Sequence, residues 1–141
     1  MMSSMPTGIP TETSKENIMT TQINWFEIPV INLSRASKFY EAVFNAKLRI
    51  ETDFDSAPMA IFNDAAGESC GCLTETQAFK ASTDGVLVYL DAGPSIQKAI
   101  DRIAPAGGKV VLDKFELPKQ LGYIAHFIDT EGNRVALHAM Q

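Results

Sequence analysis

Side chains able to do chemistry are few in this chain, so their spacing can be weighed one by one. There are two histidines, His126 and His138, two cysteines, Cys70 and Cys72, and a single tryptophan, Trp25. The histidines flank Asp129-Thr130-Glu131-Gly132-Asn133, a turn-forming cluster between two alternating apolar runs. That pattern predicts a β-hairpin. If Ile128 pairs with Ala136, His126 pairs with His138, because antiparallel partners keep a constant sum of residue numbers. Their Cβ atoms would then be ~5 Å apart. Such a pair could hold a metal, shuttle a proton or bind an anionic ligand. The plainer reading is two hydrogen-bonded structural histidines, and a one-residue slip would send one of them to the other face.

Glu27 follows Trp25 by two residues, so a strand would put both on one face. In a partly apolar cleft the carboxylate could have a raised pKa and serve as a general base; otherwise it pairs with a neighbouring Arg or Lys, or lies at a dimer seam. The indole could be a stacking platform for an aromatic or cationic ligand, or ordinary core. Trp25, Glu27, His126 and His138 are thus the ligand-binding candidates, with Glu27, His126 and His138 as catalytic candidates. Tyr89 and Tyr123, also in strand-like segments, are open to both readings. Cys70 and Cys72 are too close for an unstrained disulfide and lack further ligands at zinc-like spacing. They read as small buried residues in a reducing cytosol. No Ser-His-Asp order or nucleophile elbow is present. Gly107-Gly108 ends a helix and is no phosphate loop, since no helix begins after it.

The elements that must position these groups form a repeat. Ile23 to Val30 alternates as a strand, and Asn32 or Ser34 can cap a helix. Ala36, Phe39, Tyr40, Val43 and Phe44 make one helical face, and Asn45 suits a left-handed C-terminal position. Leu48 to Asp53, Ala57 to Asn63 and Ser69 to Thr74 read as strands. After a connection over Gln77 to Asp84 the order returns. Gly85 to Asp91 is a strand; Pro94-Ser95 starts a helix with Ile96, Ala99, Ile100 and Ile103 on one face, stopping at Pro105. Lys109 to Phe115, Leu121 to Asp129 and Arg134 to Met140 complete three more strands. The fold class is therefore α+β: two βαβββ modules, residues 23–76 and 84–141, within a single domain over 23–141. Curved sheets from the two halves are expected to enclose a cleft. Residues 1–22 lack any apolar period and read as a disordered tail, with Met19 as a possible second start point.

The chain has 141 residues, a net charge of −5 and 45% hydrophobic residues. That balance argues against a nucleic-acid partner, which needs clustered cations. No apolar run approaches the ~20 residues that span a bilayer, and the N-terminus lacks a secretory pattern. Neither membrane nor nucleic acid is expected as a partner, and cytoplasmic is the expected location.

Phe26-Glu27-Ile28-Pro29-Val30-Ile31-Asn32-Leu33-Ser34-Arg35-Ala36-Ser37-Lys38-Phe39-Tyr40, Ala106-Gly107-Gly108-Lys109-Val110 and Phe127-Ile128-Asp129-Thr130-Glu131-Gly132-Asn133-Arg134 follow one another in this order. Together they resemble the glyoxalase/bleomycin-resistance/dioxygenase family, the vicinal oxygen chelate superfamily, from Ile23 to His138. Asn32 and Thr130 replace the family's usual aspartate and proline. The resemblance implies a homodimer, and enzymes of the family hold one divalent metal with His and Glu from the first and last strands of both halves. Aligned with those four positions are Trp25, the stretch Gly71 to Leu73, the stretch Val86 to Val88, and Ala136. None offers the family's ligand, so no metal or other cofactor is expected. The function expected is metal-free binding of a small organic molecule, such as drug or metabolite sequestration. Whether the chain is an enzyme stays open: a lyase, isomerase or dioxygenase-type activity could use a non-standard metal or a Glu/His acid–base site. An accessory subunit with a vestigial cleft is a third class. A chain beginning at Met19 is expected to fold as the whole chain does, which comparison of their thermal denaturation by circular dichroism would check.

Overall fold

The computed structural model describes residues 18–20, 22–52 and 58–141. The expected tail lies almost wholly outside the described residues, as do residues 53–57, where the second expected strand ends and the third begins. The first half runs β1 (Phe26–Pro29), α1 (Leu33–Phe44), β2 (Arg49–Glu51), β3 (Met59–Asn63) and β4 (Ser69–Thr74). The second repeats it as β5 (Tyr89–Asp91), α2 (Ile96–Ile103), β6 (Lys109–Glu116), β7 (Tyr123–Ile128) and β8 (Arg134–Ala139). Each half forms a four-stranded mixed sheet, ordered β1-β4-β3-β2 and β5-β8-β7-β6. In both, the first strand lies parallel to the last, and the remaining pairs are antiparallel. The fold is therefore α+β, two βαβββ modules.

Local chemistry explains the helix limits. Asn32 is extended, and its side chain accepts from Arg35 N at 2.9 Å, so it rather than Ser34 caps α1. Asn45 ends α1 in the left-handed region at φ 51° and ψ 47°, a conformation that asparagine tolerates better than most residues. Ser95 caps α2 in the same way as Asn32, accepting from Lys98 N. Both helices lay their apolar stripes on one continuous core. Phe39, Tyr40 and Val43 meet Ile96, Ala99 and Ile103, with Leu73 from the first sheet and Phe127 and Leu137 from the second. Phe39 and Phe127 rings lie 5.7 Å apart across the module boundary. Gly108 sits where an added Cβ would fall 2.6 Å from the Phe39 ring and 2.9 Å from the Ile128 carbonyl, so the approach of α1 to β7 demands glycine there.

The strongest polar link between the modules is the β7–β8 turn, pressed against the start of α1. The Glu131 carboxylate is buried and accepts from Ile31 N and Asn32 N, both at 2.8 Å. Arg35 donates to it from Nε at 2.7 Å and Nη2 at 2.9 Å, and Thr130 Oγ1 donates at 2.8 Å. Burial alone would push this carboxyl up, but the donors from Arg35, Asn32, Thr130 and Ile31 outweigh it and hold the pKa at about 2. Asn133 Nδ2 donates to the Pro29 carbonyl at 2.8 Å, and the buried Tyr40 hydroxyl donates to Asp129 at 2.7 Å. Burial first, and then the Asp129 charge, raises the Tyr40 phenol well above its ordinary value.

A carboxylate held below its unfolded pKa stabilises the fold above that value, and the contribution fades as pH falls. Glu131→Gln is expected to cost about 2 kcal/mol at pH 7 through the lost charge-assisted hydrogen bonds. It should also flatten the decline in stability between the ordinary carboxylate pKa and about 2. Urea denaturation at a series of pH values would measure both.

Candidate functional site

Each sheet turns one face to the helices and the other away from them. In the second sheet Leu90, Ala125, Phe127, Val135 and Leu137 join the core. The alternation of side chains then puts Tyr89, His126, Arg134, Ala136 and His138 on the opposite face. The hairpin register differs from the sequence expectation. Ile128 pairs with Arg134 rather than Ala136, so His126 faces Ala136 and His138 faces Ile124. The shift is two residues, which keeps both histidines on one face but separates them along it. Its physical reason is the tight turn: Asp129 Oδ1 accepts from both Glu131 N and Asn133 N, and Asn133 O accepts from Asp129 N. That closes the loop earlier than the expected pairing allows.

One row of this sheet runs Tyr89, Ala136, His126, because β5, β8 and β7 are neighbours in register. Tyr89 reaches across the Ala136 methyl to His126, with Oη and Nε2 3.0 Å apart and ring centroids at 5.6 Å. From the other side Arg134 approaches His126 Nδ1 with Nε at 3.2 Å and Nη2 at 2.9 Å. A guanidinium can only donate, so Nδ1 must be the acceptor and Nε2 must carry the ring proton. Burial, then the Arg134 charge, lowers the His126 pKa from its ordinary value, and the ring is neutral at pH 7. The Nε2 proton goes to the Tyr89 oxygen, which leaves the Tyr89 hydroxyl proton free on an exposed ring.

His138 is used differently. Its Nε2 lies 2.7 Å from the Leu121 carbonyl, an acceptor only, so the ring donates there and secures β8 to the β6–β7 connection. Gly122 fits beneath it at φ 98°, where an added Cβ would come within 2.9 Å of Nε2. In the first sheet, Phe26 and Ile28 point to the helices, which puts Glu27 and the preceding Trp25 on the side away from them. Glu27 pairs across β1–β4 with Cys72. Burial, then the Glu27 charge, raises the Cys72 thiol to about 11, so it is protonated at neutral pH. Among the described residues no hydrogen bond or aromatic contact joins Trp25 or Glu27 to His126 or His138. The structure brings His126 together with Tyr89 and Arg134 instead. Sequence spacing leaves Tyr89 ambiguous and does not point to Arg134, although its place two residues before Ala136 on the same strand face was the available signal.

The donor set does not fit the family's divalent metal. Trp25 offers only an N–H, and Gly71 to Leu73 offers only the protonated Cys72 thiol. Val86 to Val88 and Ala136 offer no side-chain donor. Among the described residues no three His, Cys, Asp or Glu side chains are grouped to hold a metal ion. On the helix side a separate cavity of about 520 Å³ opens between the end of α1 and the start of α2, over Tyr40, Phe44 and Phe62. None of the four candidate residues lines it.

Paired βαβββ sheets define a class of small α+β proteins built from duplicated modules. The chain belongs to the Glyoxalase/Bleomycin resistance protein/Dioxygenase superfamily, whose profile matches residues 22–137. A glyoxylase-like domain-containing protein from Didymella fabae is 26% identical over 129 residues, 85% of this chain and 94% of its own length. A glyoxalase/bleomycin resistance protein from Albidiferax ferrireducens shares the fold at TM-score 0.60 and 16% identity, covering 82% of this chain and 96% of that one. So does a genomically encoded fosfomycin resistance protein, FosX, from Listeria monocytogenes, at TM-score 0.58 and 18% identity over 86% and 92% of the two chains. Among the described residues no helix is long and apolar enough to cross a membrane.

Ala136→Glu is expected to part Tyr89 from His126 and, by placing a carboxylate beside the ring, to raise the His126 pKa. A histidine titration by NMR would register the upward move; an unchanged midpoint would mean that the row tolerates the carboxylate.

Proposed function

We propose that this chain binds a small organic molecule on the faces its sheets turn away from the helices, without a metal ion as the recognising group. The observation that carries this reading is the Tyr89–Ala136–His126 row. Where the family's enzymes place a metal-binding carboxylate, this chain has a methyl group roofed by a fixed hydrogen-bonding pair. Ordered donors beside exposed aromatic surface are the ingredients of a ligand site. Tyr89 is 44% exposed and Trp25 41% exposed, so both have ring area left to cover. Trp25 and Glu27 would contribute from the first sheet, and a homodimer would enclose more of this surface. Two structural relatives carry resistance to bleomycin or fosfomycin in their names, which supports a small organic ligand.

A second reading is favoured by the Tyr89–His126 contact itself. With His126 Nε2 donating to its oxygen at 3.0 Å, the Tyr89 hydroxyl keeps its own proton free on an exposed ring, where it could serve a substrate as a general acid, as a lyase or isomerase would need. Binding without turnover supports the first reading; product formation supports the second.

Protein purified without chelators is expected to hold zinc, nickel, iron and manganese well below one equivalent per chain. Stoichiometric metal by atomic emission would overturn the proposal. A thermal-shift screen of metabolites and antibiotics is expected to yield stabilising compounds, since a ligand at one hundred times its Kd adds about 2.7 kcal/mol.

A further inference from the structure

We propose that Arg134, His126 and Tyr89 form an anion-recognition site, so that the ligand is an organic acid presenting a carboxylate or a phosphonate-type oxygen. This rests on the small-molecule reading above and names its ligand class. The argument starts from an imbalance of charge. Arg134 is half-buried, yet among the described residues no carboxylate lies within ion-pairing distance of it. Two of its N–H groups go to His126 Nδ1, a neutral acceptor that leaves the positive charge uncompensated. A guanidinium has five N–H donors, so three have no partner among the described residues.

The row that holds Arg134 adds a second cation. Lys109 pairs with Ile128, and Ile128 pairs with Arg134, so Lys109 and Arg134 project from the same face two strands apart. One step along the strands, the row of Tyr89 and His126 supplies direction. Because Arg134 forces His126 to donate from Nε2, the Tyr89 oxygen is an acceptor within the protein and its proton is a donor outward. A cation that fixes an imidazole, and an imidazole that fixes a phenol, yield donors of one polarity. An anionic oxygen lodged there would receive the Tyr89 hydroxyl proton and the remaining Arg134 N–H groups, both charge-assisted bonds. A cationic ligand would meet donors and a like charge.

The test uses the whole chain and four probes of similar size: benzoate and phenylphosphonate as anions, benzyl alcohol as a neutral, benzamidine as a cation. Calorimetric titration at low salt is expected to show the anions binding at least tenfold more tightly than benzyl alcohol. Arg134→Gln and Tyr89→Phe should each weaken the anions about tenfold or more, the loss of a charge-assisted hydrogen bond, and weaken them by a larger factor than benzyl alcohol. Benzamidine or benzyl alcohol binding best would overturn the anion assignment while upholding the small-molecule reading; a chain that bound no probe and no compound in a broad screen would overturn both. A second measurement needs no ligand and no variant. Nitrogen-15 NMR of labelled histidine at pH 7 should show His126 as the neutral ring protonated on Nε2, and a ring protonated on Nδ1 would refute the arrangement.

Discussion

A buried carboxylate in the β7–β8 turn holds the two modules in their relative place. Glu131 receives the last two backbone donors of the β1–α1 loop and both arms of Arg35, from a position about one hundred residues away in the chain. Burying a charge is costly unless it is paired and fully hydrogen-bonded, and here every oxygen is occupied. The same turn anchors Tyr40 through Asp129 and the end of β1 through Asn133. The helix α1 is thereby fixed against both sheets, and Phe39 and Tyr40 can pack on Phe127. With the sheets fixed, β5, β8 and β7 come into the register that lines up Tyr89, Ala136 and His126.

This division of labour separates two groups of polar residues. Asp129, Glu131 and Asn133 are buried and satisfied by the protein itself, so they act as fasteners. Tyr89, His126 and Arg134 are linked to one another but keep donors unspent on an accessible face. His138 belongs with the fasteners, since its proton is committed to the Leu121 carbonyl. Hydrogen bonds among neighbours are here the means of fixing these side chains. The orientation of the imidazole, normally imposed by a metal or a carboxylate, is imposed here by a guanidinium.

The family signature in the sequence is largely the signature of the fasteners. Phe39, Tyr40, Gly108, Phe127, Asp129, Glu131 and Asn133 recur in the core or in the interlocking turn. Phe39, Tyr40 and the turn residues could be read in the sequence because their patterns are local: helical spacing in the one case and a run of turn-forming residues in the other. The histidine pairing was not legible. A hairpin whose turn could close in two ways leaves the register open by two residues, and only the hydrogen bonds of Asp129 choose between them.

Periodicity, capping residues and turn chemistry in the chain determined the two βαβββ modules and the limits of α1 and α2, since each depends on neighbours a few positions apart. The tertiary structure decided which side chains meet. Tyr89 and His126 are 37 residues apart and touch only because β8 lies between their strands. Arg134 acquires its role only once the register sets it diagonal to His126. Strand order and register are collective properties of the packed sheet, and no local pattern of residues encodes them.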